Sequence, residues 1–501
     1  MMRRVAAGPG ACGRACSMWW PGCASIPGGH SPMHNGSTTD YDALIIGGGP
    51  AGQAAAIELA NLRLRCAVID EQARPGGQIL RQPPASFEAS HWAEEASYRP
   101  LKQQLHQFET QSGIDWLGRR SVIGLQSDGT SHSVLISGAN GLQQFTAPHV
   151  LIAAGCYDLP VAIPGWTLPG AMGAGAMQTL LKAQGILTGE RIALAGTHPL
   201  MLLIAAQIHA AGGTVAEVAF DQPFTRFAKA MGRNLGTGLR HAGLLAEAGK
   251  AMLTLRRAGV PVRFGRKLQG IIGREQVAGA IFAAGATEEQ IACDSIGLCY
   301  GFLPQSDLLR QAGLAVEWAA PAGGWAARHD DWMQSSTPGL WVAGETTGVA
   351  GAPIAREEGR IAGLGIARAL ERITPEDAAE QAKSSRTVLR KMAGFADLLA
   401  GLADPREALT RIQPPETLIC RCENVSAAAI GDVLRETQDA NAIKRITRCG
   451  MGACQGRSCE HALLRMIARE TGQSVGQQPG FTARFPARPV SIGDLLEHDL
   501  Q

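Results

Sequence analysis

Five of the chain's 12 cysteines fall within residues 420–459. Cys420 and Cys422 form C-x-C, and Cys449, Cys454 and Cys459 follow. Thiolates are soft ligands suited to zinc or to iron–sulfur clusters. Structural zinc usually draws on C-x₂₋₄-C pairs, for which C-x-C is tight. A [2Fe–2S] cluster takes two thiolates on each iron. We read Cys420, Cys422, Cys454 and Cys459 as its ligands and Cys449 as a spare or neighbour, with zinc as the alternative. Gly450, Gly452 and Gly456 would let backbone N–H groups turn toward the sulfur atoms.

A second chemistry is written near the other end, in "ALIIGGGPAGQAAAIELANLRLRCAVIDEQARPGGQ". Gly47, Gly49 and Gly52 make G-x-G-x-x-G, the spacing of a dinucleotide-binding turn: one glycine for the turn, one for close approach of a pyrophosphate, one for helix–strand packing. Ala51 belongs to the same turn. The following helix would offer free N–H groups and its positive end to phosphate. Asp70 stands 21 residues past Gly49 and suits ribose hydroxyls, with Glu71 beside it as the alternative. Gly77 and Gln78 in "RPGGQ", Ala154–Gly155 after a second apolar run, and Thr337, Gly344 and Glu345 around a third complete the expected cofactor surface.

These residues need a βαβ unit, and the pattern supplies one: strand Ala43–Ile46, an Ala-rich helix, strand Cys66–Asp70. A second strand–turn–helix–strand period begins at "GERIALAG", but its turn carries His198 and Met201 where glycines would stand. No acid ends the next strand; Ala219 does, with Asp221 two residues on. This domain is therefore expected to have lost, or remodelled, its nicotinamide site. The expected architecture is α/β, a flavoprotein of two Rossmann-like domains with a small, mainly helical C-terminal [2Fe–2S] domain. The boundaries expected are a tail or misplaced start at 1–40, a flavin domain at 41–165 and 290–372, a degenerate NAD(P)-binding-like domain at 166–289, a helical linker at 373–413, the cluster domain at 414–475, and a C-terminal tail at 476–501. The formal charge of +2, from 46 basic and 44 acidic residues, argues against nucleic acid or an anionic membrane as main partner. No run is apolar enough to span a bilayer. Residues 1–40 carry no continuous apolar run of the kind a secretory signal needs, so a cytoplasmic location is expected, with peripheral attachment to the inner face of the membrane as a variant.

Four stretches, "DEQARPGGQI", "AAGCYDLPVAIPGWTLPG", "GETTGVAGAPIAREEGRIAG" and "TRCGMGACQGRSC", make the chain resemble the alpha (A) subunits of opine oxidases, hydroxyproline dehydrogenases and hydrogen cyanide synthase. These are FAD-dependent oxidoreductases whose C-terminal domain is similar to bacterioferritin-associated ferredoxin. The resemblance implies FAD, a [2Fe–2S] cluster and an FMN at a subunit interface. It also implies a beta subunit of the D-amino-acid-oxidase type with its own FAD, a downstream electron acceptor and a small ferredoxin-like subunit. The implied role is an electron-transferring subunit of an enzyme that works on C–N bonds of an amino acid, imino acid or opine. The alternative is a self-sufficient NAD(P)H-dependent flavin and iron–sulfur reductase. That reading needs an open nicotinamide site, and Cys156, Cys293 and Cys299 supply no C-x-x-C beside the flavin.

Overall fold

The computed structural model describes residues 41–84, 86–87, 95–139 and 141–499; the expected tail at 1–40 lies outside them. Ala43–Ile46 is buried at all four positions, as a central parallel strand covered on both faces must be. It pairs in parallel with Cys66–Asp70 on one side and His149–Ile152 on the other. Ile114–Gly118 and Leu340–Val342 form the edges of this five-stranded sheet. The helix Pro50–Asn61 covers it and packs along Ala352–Ala369. Small residues set how closely the two helices approach. A Cβ on Gly359 would collide with the Ala51 carbonyl, and one on Gly363 would stand 2.9 Å from the Ala55 carbonyl.

The second sheet runs Val262–Phe264, Thr214–Phe220, Arg191–Gly196, Ser295–Cys299, Ala171–Gly173, all parallel. Ser295–Cys299 differs from expectation, since the sequence places residues from 290 on in the first domain. All five of its residues are buried, so its apolar pattern suits either sheet; pairing with Arg191–Gly196 decides. The chain returns through Phe302–Pro304, antiparallel to Cys156–Asp158.

The 28-residue helix Pro375–Leu402 starts at Thr374, whose hydroxyl accepts from Asp377 N–H at 3.1 Å. Beyond it a short hairpin, Leu418–Cys420 with Val425–Ser426, leads into helices Ala427–Leu434, Ala440–Thr447 and Glu460–Thr471. Their apolar faces share one core with the second sheet, including Ile430, Ile443, Leu463 and Leu464. The last segment folds back over the three-stranded antiparallel sheet of residues 120–147. Ala487 N–H donates to the Ile123 carbonyl at 2.7 Å, and the Ser137 hydroxyl to Asp494 at 2.9 Å.

Candidate cofactor sites

Gly47 has φ +109°, and a side chain there would strike the Ala153 carbonyl. A Cβ on Gly52 would strike the Gly47 carbonyl. Both glycines therefore answer to packing inside the turn. Gly49 packs its backbone on that of Gly77: a Cβ on Gly77 would stand 2.8 Å from the Gly49 Cα, and one on Gly49 3.8 Å from the Gly77 Cα. Gly155, φ +79°, would meet nothing within 4 Å. No side chain caps the helix that starts at Gly49, which leaves its first N–H groups, Ala51 and Gly52 included, for an anion. The uncapped helix start at Gly49, with Gly77 packed beside it and open space at Gly155, fits the diphosphate of FAD.

Asp70 closes this site at the end of its strand. Its carboxylate accepts from Gly48 N–H and from Gln72 N–H, both at 2.7 Å. Burial pushes its pKa above the ordinary value, against the pull of these two donors. Glu71 is half-exposed and turns to Arg488 (3.3 Å) and the Ser121 hydroxyl (3.3 Å). Gln78 is exposed and accepts from Arg81 at 2.8 Å.

Gly344, φ +78°, sits against Ala51, so the third expected turn does meet the first. Ala154 and Gly155 join them, with Gly155 N–H donating to the Thr346 hydroxyl at 3.2 Å. Glu345 accepts from Gly351 N–H at 2.7 Å and from the Cys156 thiol. Burial raises its carboxyl to about 7. Thr337 is not part of this group. It makes a turn with Ser335 at the opposite end of the strand Leu340–Val342.

Sequence reasoning missed Glu358. Its carboxylate accepts from Gly344 N–H and pairs with the Thr347 hydroxyl, both at 2.8 Å. Burial raises it to about 7. A carboxylate on a helix face carries no signal of its own in the sequence.

The five cysteines gather in two groups. The sulfurs of Cys420, Cys449 and Cys459 all lie within 4.8 Å of one another, buried. Cys422 and Cys454 hydrogen-bond each other nearer the surface. Thiols of Cys449 and Cys459, then backbone N–H groups of Gly450 and Glu423, turn toward Cys420 and hold it well below the usual thiol range. Cys449 is pushed up to about 12, first by Cys420. Three buried sulfurs this close together are a donor set that suits a soft metal ion. The glycines do more than aim N–H groups. Side chains at Gly450 or Gly456 would strike Phe481, and one at Gly452 would strike Cys422.

The cysteine loop is tied to the flavin domain by ion pairs. Arg457 donates to Asp307 through Nε at 2.8 Å, and Asp307 also takes Arg488 at 3.2 Å. Arg310 forks onto Glu460 at 2.9 and 3.0 Å, a bidentate geometry among the stronger charged contacts. Gln305 N–H reaches the Gly155 carbonyl at 2.9 Å, and its side-chain amide reaches Asp307 at 2.9 Å. The nucleotide turn and the cysteine loop are thus joined through Gln305, Asp307 and Arg457.

Residues 41–359 match the pyridine nucleotide-disulphide oxidoreductase family, and residues 415–497 match the sarcosine oxidase A3 domain. The A subunit of opine oxidase from Agrobacterium tumefaciens (strain Ach5) is 31% identical over 91% of this chain and 91% of its own length. The chain belongs to the pyridine nucleotide-disulphide oxidoreductases, in the group of the opine oxidase A subunits. Hydrogen cyanide synthase subunit HcnB of Pseudomonas aeruginosa is 32% identical over 89% of this chain and 96% of its own length. Among solved structures, L-proline dehydrogenase from P. horikoshii superposes with a TM-score of 0.66 at 20% identity, covering 91% of this chain and 79% of its own. That likeness shows the two-domain Rossmann-type fold with a helical C-terminal region. The chain is an FAD-dependent oxidoreductase. Among the described residues, no helix is long and apolar enough to cross a membrane.

Proposed function

We propose that this chain is the electron-transferring subunit, carrying FAD and a [2Fe–2S] cluster, of a multi-subunit dehydrogenase or oxidase acting on the C–N bond of an amino acid, imino acid or opine. The observation that carries the reading is the junction of a dinucleotide cradle and a buried cysteine cluster through Gln305, Asp307 and Arg457. FAD exchanges two electrons together and an iron–sulfur cluster one at a time, which suits a relay. The residues around them hold and orient. Gly47–Gly52 and Gly155 would hold the diphosphate, and Asp70, pinned by Gly48 and Gln72, would hold the ribose. Glu358 fixes the turn at Gly344.

For the cluster we assign Cys420, Cys422, Cys454 and Cys459 as the ligands; Cys422 hydrogen-bonds Cys454, and Cys420 takes hydrogen bonds from both Cys449 and Cys459. Cys449 is then the fifth sulfur, beside Cys420 and Cys459. Relatives named as components of opine oxidase, hydrogen cyanide synthase and sarcosine oxidase support a catalytic partner. We assign that role to a D-amino-acid-oxidase-like beta subunit carrying its own FAD, with an FMN at the interface and a small ferredoxin-like subunit completing the complex. Octopine or nopaline, D-hydroxyproline and glycine are the substrates to try first.

The test is co-expression with such a partner, then flavin and iron per chain, then anaerobic dye reduction with each amino acid. Amino-acid-dependent dye reduction by the pair, and by neither chain alone, is the expected result. Chain purified without flavin or iron, or dye reduction driven by NADH alone, would overturn it.

A further inference from the structure

The second Rossmann domain has kept its sheet, and something else fills its nucleotide end. In an open parallel sheet, ligands bind in the crevice outside the carboxyl ends of the strands. Here those ends are Gly196, Phe220 and Cys299. The groups just beyond them all point to one segment, residues 402–411, which follows the long linker helix.

The Thr197 hydroxyl, in the turn that would cradle a pyrophosphate, donates to the Ala403 carbonyl at 2.6 Å. The Gln222 side-chain amide donates to the Leu402 carbonyl at 2.8 Å and to the Thr197 carbonyl at 2.6 Å. Arg226 reaches Asp404 at 3.0 Å. Asp221 lies just past its strand, near where a working dinucleotide domain presents an acid to ribose. It is bound by Arg411 at 2.6 Å and by the Tyr300 hydroxyl at 3.4 Å. Arg411 also donates to the Leu268 carbonyl at 2.6 Å. Ala408 and Leu409 enter the same core as Ala193, Ala195 and Ala219 of the strands below. Thr197, Asp221, Gln222, Leu402, Ala403 and Asp404 are all buried. His198 does not line an open site: its ring packs edge-on to Phe302, 5.4 Å between centres, and its Nδ1 accepts from Leu200 N–H.

We propose that residues 402–411 occupy this nucleotide crevice in cis, and that Thr197, Asp221, Gln222 and Arg411 thereby exclude pyridine nucleotides as electron donors. The proposal rests on the flavin reading above and sharpens it by naming what sets donor specificity. The domain becomes a dock for the segment that leads into the cysteine helices. A dinucleotide could enter only by displacing a peptide held through at least four side chains, two of them charged.

The experiment uses the full-length, FAD-loaded chain and amide hydrogen exchange read by mass spectrometry. Amides of residues 402–411 should exchange as slowly as core strands, not as a surface loop. NADH, NADPH and ADP-ribose should leave exchange at 196–200 and 221–226 unchanged, and NADH should not bleach the flavin. Arg411→Ala should speed exchange of 402–411 by about tenfold or more, the loss of a charged hydrogen bond of over 1.4 kcal/mol, while flavin content stays constant. Thr197→Val, which keeps the shape and removes the hydroxyl, gives the same direction if Arg411→Ala fails to fold. Rapid exchange at 402–411 in the wild type, or saturable protection of 196–200 by any of the three nucleotides, would overturn the proposal. A chain that binds no FAD would instead sink the proposed function; exchange at 402–411 would still decide the dock.

Discussion

Glu358 offers the sharpest perturbation, because one carboxyl holds a turn of the flavin site at the cost of being buried. Its pKa is raised from 4.5 to about 7, chiefly by burial, with Glu345 adding to the rise. Between those values the folded chain retains a proton that the unfolded chain has released. The stabilisation is therefore complete below about pH 4.5 and is lost as pH rises through about 7. A rise of that size corresponds to at most roughly 3.4 kcal/mol. Because Glu345 titrates in the same range and repels it, about half that is a fairer share for Glu358 alone. Glu358→Gln keeps an oxygen to accept from Gly344 N–H and cannot ionise. The assay is the thermal midpoint from pH 5 to 8 at a fixed excess of FAD, since bound ligand itself raises the midpoint. The wild type should lose stability across this range, and Glu358→Gln should lose less, by about 1–2 kcal/mol at the alkaline end. Identical declines in the two proteins would refute the argument that burial of this carboxyl is what titrates.

Other perturbations follow the same logic. Gly52→Ala puts a methyl group against the Gly47 carbonyl, and should destabilise the fold by about 1–3 kcal/mol and release flavin, read as the absorbance ratio of the purified protein. Serine in place of Cys420, Cys422, Cys454 or Cys459 should abolish bound iron, whereas Cys449→Ser should keep it; iron retained in Cys454→Ser and lost in Cys449→Ser would reassign the fourth ligand. Asp307→Asn leaves Arg457 and Arg488 without their shared charge, and should loosen the cysteine loop by about 1–2 kcal/mol, visible as faster hydrogen exchange at 454–459 with no change at 43–46.

The parts of the fold legible in the sequence were those with local patterns. Gly47, Gly49 and Gly52 announced a turn because three glycines at that spacing between two apolar runs have few other uses. The cysteine density between 420 and 459 was equally plain. What escaped were contacts between residues far apart in the chain. Nothing around Gly359 and Gly363 says that they face Ala51 and Ala55. Nothing in "GLADPREALTRI" says that it fills a crevice built 200 residues earlier. Ser295–Cys299 pairs in the other sheet from the one expected, because a strand buried on both faces reads alike in either. Glycines near the cysteines were expected to serve the sulfurs, and Gly450 N–H does turn toward Cys420. Their second duty, making room for Phe481, depends on a residue beyond the last cysteine.

The way the final segment lies across the residue 120–147 sheet constrains how the molecule can be made. Phe485 packs on Gly124, Ala487 enters the core beneath that sheet, and Arg488 spans Glu71 and Asp307. Part of the cover of the first domain is thus supplied by residues far along the chain from the strands they pack on. Fragments cut after the linker helix would lose that cover, so separating the proposed cluster from the flavin calls for point substitutions in the intact polypeptide.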